Sequence, residues 1–492
     1  MMRKALAAVV LCGLAAATEP DAATRNWWRH VQALGGDVMQ GRDTGSPEYR
    51  KAAEYVAFQL EHAGVKPAGE QGWYQPVPLH RDRLDSARSS AELVSSAHAA
   101  QSLRWFHEIT VGVRPGLPAS FSGDLIFSGP DGLTEGLIPQ GKILVQIGRT
   151  RTLPMPPGLA GVITIDATGG PEPPRWPVAY AVAVTLRGTP APTNPGPIVF
   201  RFNPVEAELL FKGSGHTYRE LAALVDGGKP VPHFAIPLTL RGKIQVSSED
   251  ISSDNIIGVL PGSDPALRDQ YVVVSAHLDG YGIGEPINGD AIYNGAFDDA
   301  AYVATLIDFA ERLQKSKTKL KRSVLFLIVT GEEKGLLGSR YFTQHPTVVK
   351  ERMVADINLD QLRPIFPLKI LTTLALDQST LGETARQVAA TLGIRIQPDP
   401  EPQRNLLRRS DHWNFIQIGI PAVGFIFGYE PGTADELVYR KWYKDRYHSP
   451  ADDLNQPWVP EAAEKFNLFF GKLVEAISDS SRRPEFTKTV PN

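Results

Sequence analysis

The sequence predicts an α/β protein, with a central sheet sandwiched between helices and a β-rich module inserted in the chain. Three observations lead there. Beyond residue 250, short apolar runs rich in β-branched residues fall at 256–260, 271–274, 324–329, 353–357 and 422–427, the alternation expected of strands and helices. Between two of these runs, Val303, Leu306, Ile307, Ala310 and Leu313 recur at helical spacing and mark one buried face. From about 110 to 235 the texture changes, as dense prolines and glycines separate short apolar runs at 125–127, 143–147, 161–165 and 198–200.

With 492 residues and 42% hydrophobic content, the chain is too long for one ordinary domain. The expected division is a signal peptide over 1–17, a discontinuous catalytic domain over 18–110 and 236–481, an inserted module over 111–235, and a loose polar tail over 482–492. Near the start of the first part, Ser46 and Pro47 suit the cap and first position of a helix. Ala53, Val56, Leu60 and Ala63 carry that helix forward, and Gly64 ends it.

Arg3 and Lys4 precede an apolar stretch over 5–14 and the small residues Ala15, Ala16 and Ala17, the three parts of a secretory leader. That stretch is too short to span a bilayer, and no later one is long enough. The expectation is a secreted or periplasmic protein without stable membrane insertion. Cys12 is the only cysteine, and Leu11 before it argues against lipidation. A mature chain without thiol has no disulfide, and a metal site in it must use histidine and carboxylate. The net charge of −3 leaves no footprint for nucleic acid.

Acids and histidines gather where the strands end. His277 and Asp279 follow the run at 271–274, Glu332 and Glu333 the run at 324–329, and Asp360 the run at 353–357. Asp298 and Asp299 open the helix, and Tyr447-His448-Ser449-Pro450 lies in a polar loop after the last strand. In open α/β sheets ligands bind at that edge, because loops from neighbouring strands converge there. Such a donor set suits zinc or a similar divalent ion. If Asp298 bridges two zinc ions, His277 and Asp360 could complete one, while Glu333 and His448 complete the other. Three carboxylates and a hydroxide then balance two Zn²⁺, and the shared water becomes a nucleophile near neutral pH. Glu332, left over by the metals, is placed to take that water's proton and pass it to the leaving amine. Asp279 is placed to hold the free ring nitrogen of His277. Each piece alone is weak, since an Asp-Asp pair can simply cap a helix and a Glu-Glu after a strand is usually solvated.

Other features are excluded. Residues 136–142 approach a phosphate loop, but Ile143 replaces the magnesium-binding hydroxyl and a strand follows. His107-Glu108 has Val111 where a zincin's second histidine would stand.

Taken in order, Ser275-Ala-His277-Leu-Asp279, Gly295-Ala-Phe-Asp298-Asp299, Gly331-Glu332-Glu333-Lys-Gly335-Leu-Leu-Gly338-Ser339, Asn358-Leu-Asp360, Ser410-Asp411-His412 and Tyr447-His448-Ser-Pro-Ala-Asp452 resemble the co-catalytic zinc peptidase family. That family includes bacterial leucyl aminopeptidases and glutamate carboxypeptidase, with glutaminyl cyclase and the transferrin receptor as relatives. The resemblance covers about 250–455. It implies a mixed sheet of zinc-exopeptidase type and two Zn²⁺ ions held by His277, Asp298, Glu333, Asp360 and His448. It also implies Glu332 as general base and a Tyr447 hydroxyl that supports the developing oxyanion. The stretch with Gly141-Lys-Ile-Leu-Val and Gly161-Val-Ile-Thr-Ile-Asp resembles, more loosely, a protease-associated domain.

The function implied is a zinc exopeptidase, an aminopeptidase, acting on peptides or small proteins. A carboxypeptidase of the same family is the alternative, for which Arg363, Arg404, Arg408 and Arg409 are candidate carboxylate-binding residues. A glutaminyl cyclase or a non-catalytic binding protein on the same scaffold ranks below both. Asp411 and His412 are supporting or substrate-side candidates. Phe297, Ala301 and Tyr302 depart from the family's usual residues beside the bridging aspartate and point to altered packing or pocket shape.

Overall fold

In the computed structural model, residues 20–95, 99–129, 139–148, 157–166, 176, 178–194 and 196–488 are described. The leader over 1–17, residues 136–138 of the phosphate-loop match and the last four residues of the tail lie outside them.

Four apolar runs become the parallel centre of a ten-stranded mixed sheet, Ser323–Val329, Tyr271–His277, Met353–Leu359 and Ala422–Phe427 in spatial order. Their residues are buried almost throughout, as strands covered on both faces must be. Ile370–Leu374 extends one side antiparallel and Val246–Leu260 the other. Successive side chains in Tyr271–His277 point to opposite faces. Val272 and Val274 join a core with Trp27, Val56, Leu306 and Phe470, from the helices Ala22–Gly35, Pro47–His62, Ala301–Ser316 and Pro460–Asp479. Val273 faces the other way, packing with Phe342 and Phe415 from the helices Leu337–Gln344 and His412–Gln417. The sheet is therefore sandwiched between helices. Ser46 does cap Pro47–His62, accepting from the Tyr49 N–H at 3.0 Å.

The β-rich region is an eight-stranded sheet with its own core around Phe127, Phe200 and Leu210. It draws on chain outside 111–235, through Ser90–Val94, Gln101–Leu103 and Ile109–Val111 before and through Phe234–Lys243 at the end. In return Val182–Leu186 leaves it and pairs antiparallel with Tyr74–Leu84 at the edge of the large sheet. Pairing between distant segments, which a local composition shift does not register, sets these limits. Among the described residues, no helix is long and apolar enough to cross a membrane.

Arg42 ties the N-terminal segment to the site. It is fully buried and donates to the carbonyls of Leu278 (2.7 Å), Leu34 (2.6 Å), Asn294 (2.8 Å) and Gly295 (3.0 Å). Replacing it would strand four acceptors out of reach of water. Arg42→Ala is expected to lower unfolding free energy by about 3 kcal/mol or more, read from urea denaturation midpoints. A loss below about 1 kcal/mol would show that water can replace the guanidinium.

Candidate dinuclear metal centre

Parallel strands with matched lengths bring their C-terminal ends to one edge, and the acids and imidazoles stand there. His277 is the last residue of Tyr271–His277, Glu332 and Glu333 follow Ser323–Val329, and Asp360 follows Met353–Leu359. Asp298 lies in the tight turn Ala296–Ala300 that feeds the helix Ala301–Ser316. His448 arrives from the far side, in the loop after Ala434–Asp445.

Their ligand atoms converge in two groups, His277 with Asp298 and Asp360, and Asp298 with Glu333 and His448. The two oxygens of Asp298 divide between them. Oδ1 lies 3.2 Å from His277 Nε2, and Oδ2 lies 3.3 Å from His448 Nε2. His448 Nε2 is also 3.3 Å from Glu333 Oε2, while His277 Nε2 is 3.9 Å from Asp360 Oδ1. Tetrahedral zinc with bonds of about 2.0–2.2 Å sets its ligands roughly 3.3–3.6 Å apart, so most of these separations are edges of such a polyhedron. Three buried atoms, His277 Nε2, Asp298 Oδ2 and Asp360 Oδ1, have no hydrogen-bond partner. Buried polar atoms are rarely left so, and these point at one another. The donor set fits two zinc ions.

Charge argues the same way. Burial opposes a charged His277, yet Asp299, Asp298 and Asp360 hold its pKa well above the ordinary value. Burial also opposes a charged His448, and Glu333 and Asp298 carry it up to about 9. The carboxylates thus favour positive charge at both imidazoles.

Neighbouring groups fix the ligands. Both oxygens of Asp452 accept backbone N–H bonds, from Phe297 and from Asp298, each at 3.0 Å, and so clamp the turn that carries the carboxylate common to both clusters. Asp299 accepts from the His277 and Gln361 N–H groups rather than joining either cluster. Ser410 donates to Asp360 Oδ2 at 2.8 Å, which leaves Oδ1 for the site. The contact to His277 Nδ1 differs from the one expected. It comes from the backbone carbonyl of Asp279 at 3.0 Å, with the Asp279 carboxylate 3.9 Å away. That carboxylate instead accepts from the Glu332 N–H and the Thr44 hydroxyl, both at 3.0 Å, and so places the loop that carries Glu332.

Residues 255–473 match Peptidase family M28. The matched segment contains every residue of both clusters. The chain is 25% identical over 222 residues to the alkaline phosphatase isozyme conversion protein of Escherichia coli K12, covering 43% of this chain and 62% of that protein. It is 25% identical over 253 residues to "probable leucine aminopeptidase 2" of Aspergillus oryzae, covering 47% and 46%. It therefore spans about half to six-tenths of the length of these curated relatives. The structure of a zinc aminopeptidase from Bacillus subtilis superposes with a TM-score of 0.60 at 18% identity, over 95% of this chain and 98% of that one. At that identity the likeness establishes the fold.

Glu332 belongs to neither cluster. Its Oε2 lies 4.0 Å from His277 Nε2, and burial, with Asp360 and Glu333 adding and His277 opposing, pushes its carboxyl well above the ordinary range. Glu332 lines a cavity of about 330 Å³ together with Tyr447, Leu374, Phe425, Arg408 and Arg409. Tyr447 stacks on His448 with ring centroids 3.6 Å apart and accepts from Gln361 Nε2 at 3.0 Å, so its own hydrogen remains to be donated. A second cavity of about 540 Å³ shares Tyr447, His448 and Arg409 with the first and includes Arg404. Arg363 is elsewhere, fully buried against the rings of Tyr439, Trp442 and Tyr443.

Asp411 accepts from the Ser339 hydroxyl, and burial pushes its carboxyl up to about 7. His412 Nδ1 is 3.2 Å from Asn358 Oδ1. Both therefore brace the strand ends from outside the clusters. Tyr302 donates to the Phe425 carbonyl at 3.0 Å, and Phe297 packs edge-on against Trp28, so the residues that depart from the family pattern serve packing. Glu108 is paired with Arg104, away from the centre. Sequence reasoning passed over Arg42, Asp452 as the clamp on Asp298, and Tyr281, which lines both cavities. Only Asp452 lay within a motif.

Proposed function

We propose that this chain is an exported dinuclear zinc aminopeptidase of the M28 type, acting on peptides or small proteins with Glu332 as general base. One observation carries the reading. The two oxygens of Asp298 are shared between a His277–Asp360 pair and a His448–Glu333 pair, with Glu332 left over on the cavity wall.

When bound, the zinc ions would lower the pKa of a water and polarise the scissile carbonyl. The chain's own groups do the rest. Glu332, anchored through its N–H to Asp279, accepts a proton at its carboxylate and returns it to the departing amine. The Tyr447 hydroxyl, with Gln361 filling its acceptor side, turns its hydrogen toward the cavity and the developing oxyanion. Leu374 and Phe425 exclude water from part of the wall. The names of the Bacillus and Aspergillus relatives support aminopeptidase action, and the leader-like start supports export.

Arg408 and Arg409 on the cavity wall favour carboxypeptidase action as a second reading. Peptides blocked at one end separate the two. The zinc-loaded protein is expected to hydrolyse Leu-Ala-amide, which has a free amine and no free carboxylate, and to leave acetyl-Ala-Leu intact. The reverse pattern would establish the carboxypeptidase. A protein that binds two zinc ions and cleaves neither would be a binding protein on a peptidase scaffold.

A further inference from the structure

The two histidines are held in different ways. His277 ends a central strand, its side chain is 1% exposed, and its Nδ1 faces a backbone carbonyl, which can only accept. Backbone geometry alone therefore sets its tautomer. His448 sits in a loop at φ 55°, and its side chain is 22% exposed. No strand fixes it. Its Nδ1 lies 3.0 Å from the hydroxyl of Tyr281, with the two rings 4.6 Å apart.

Tyr281 is itself braced. The Lys334 ammonium stands 4.7 Å over its ring. That ammonium is anchored by the Gly280 carbonyl at 3.1 Å, by Asp43 at 3.2 Å and by the Tyr180 hydroxyl at 2.7 Å. Tyr180 also donates to Asp43 at 3.1 Å, and it stands just before Val182–Leu186, where the chain comes back from the β-rich region.

We infer that Tyr281 is the positioning residue for the metal site formed by Asp298, Glu333 and His448. This rests on the dinuclear reading above. An imidazole that offers Nε2 to a metal keeps its proton on Nδ1, and Tyr281 Oη accepts that proton's hydrogen bond. The phenol thereby turns the ring so that Nε2 faces Asp298 and Glu333. The site built on His277 has no such dependence.

The test is zinc affinity, measured by titrating the metal-free full chain against a chromophoric chelator. Tyr281→Phe is expected to weaken one of the two binding constants by about 10–100-fold and leave the other within roughly twofold. Tyr293→Phe is the control, because its hydroxyl serves the Glu285 carbonyl at 2.8 Å; it should alter neither constant. Parent-like values for both constants in Tyr281→Phe would overturn the inference. Should that variant fail to fold by circular dichroism, ¹⁵N-histidine spectra of the zinc-loaded parent decide. A protonated, hydrogen-bonded Nδ1 on His448 is expected, and a zinc-bound Nδ1 would refute the assignment. If the parent binds no zinc, the peptidase reading falls first.

Discussion

Glu332→Gln is expected to retain two zinc ions and lose about 10²–10⁴-fold in kcat, with little change in KM. The amide has the shape of the carboxylate but cannot take a proton at neutral pH. Neither ligand cluster includes Glu332, so stoichiometry should survive the change. Its backbone N–H still reaches Asp279, which keeps the loop in place. Burial, Asp360 and Glu333 hold the Glu332 carboxyl well above its ordinary range. A carboxyl perturbed in this way on a cavity wall marks a candidate for receiving and returning a proton. Parallel metal analysis and steady-state kinetics make the measurement. A variant with two zinc ions and near-parental kcat would remove Glu332 from the mechanism.

Asp298→Ala is expected to abolish tight binding at both metal positions. Every other ligand serves one cluster; Asp298 serves both. Without it each position has two protein ligands, fewer than zinc sites use. The metal-free variant loses the Asp298 contacts to His277 and His448 and is expected to be less stable than the metal-free parent, so each protein is compared with itself. The clamp from Asp452 to the Phe297 and Asp298 N–H groups is a backbone contact that alanine keeps. The readout is thermal stability with and without zinc. Saturating metal at about 100 times its Kd should stabilise the parent by about 2.7 kcal/mol for each ion bound, and the variant should show no metal-dependent shift. A variant that still gains stability and binds two ions would mean that the bridge lies elsewhere.

How far the sequence could be read depended on the range of the interaction. The central strands are continuous apolar runs because they are buried on both faces, and a buried run is a local signal. Residues at the C-terminal ends of such runs must share one edge if the runs lie parallel. His277, Glu333 and Asp360 could thus be grouped without coordinates. Asp298 and His448 were less local assignments, since neither follows a central strand directly; charge balance drew them into the set, and the resemblance to known peptidases agreed. The limits of the β-rich sheet were hidden for a different reason. Ser90–Val94 finds its partner in Phe234–Lys243, and no feature of either segment announces the other. Arg42 is the extreme case, since an isolated arginine reads as solvated surface. Its fork instead reaches four carbonyls brought in from Leu34 and from the two loops at Leu278 and Asn294.

By itself, then, the sequence determined the α/β class, the order of its buried strands and which acids and imidazoles stand at their ends, all consequences of hydrophobic pattern and chain direction. Only the tertiary structure decided how the Asp298 oxygens divide, that a carbonyl rather than a carboxylate orients His277, and that Tyr281 reaches His448. Those outcomes turn on side-chain directions and separations of a few ångströms between distant segments. Local pattern carries no information at that scale, and the metal chemistry depends on it.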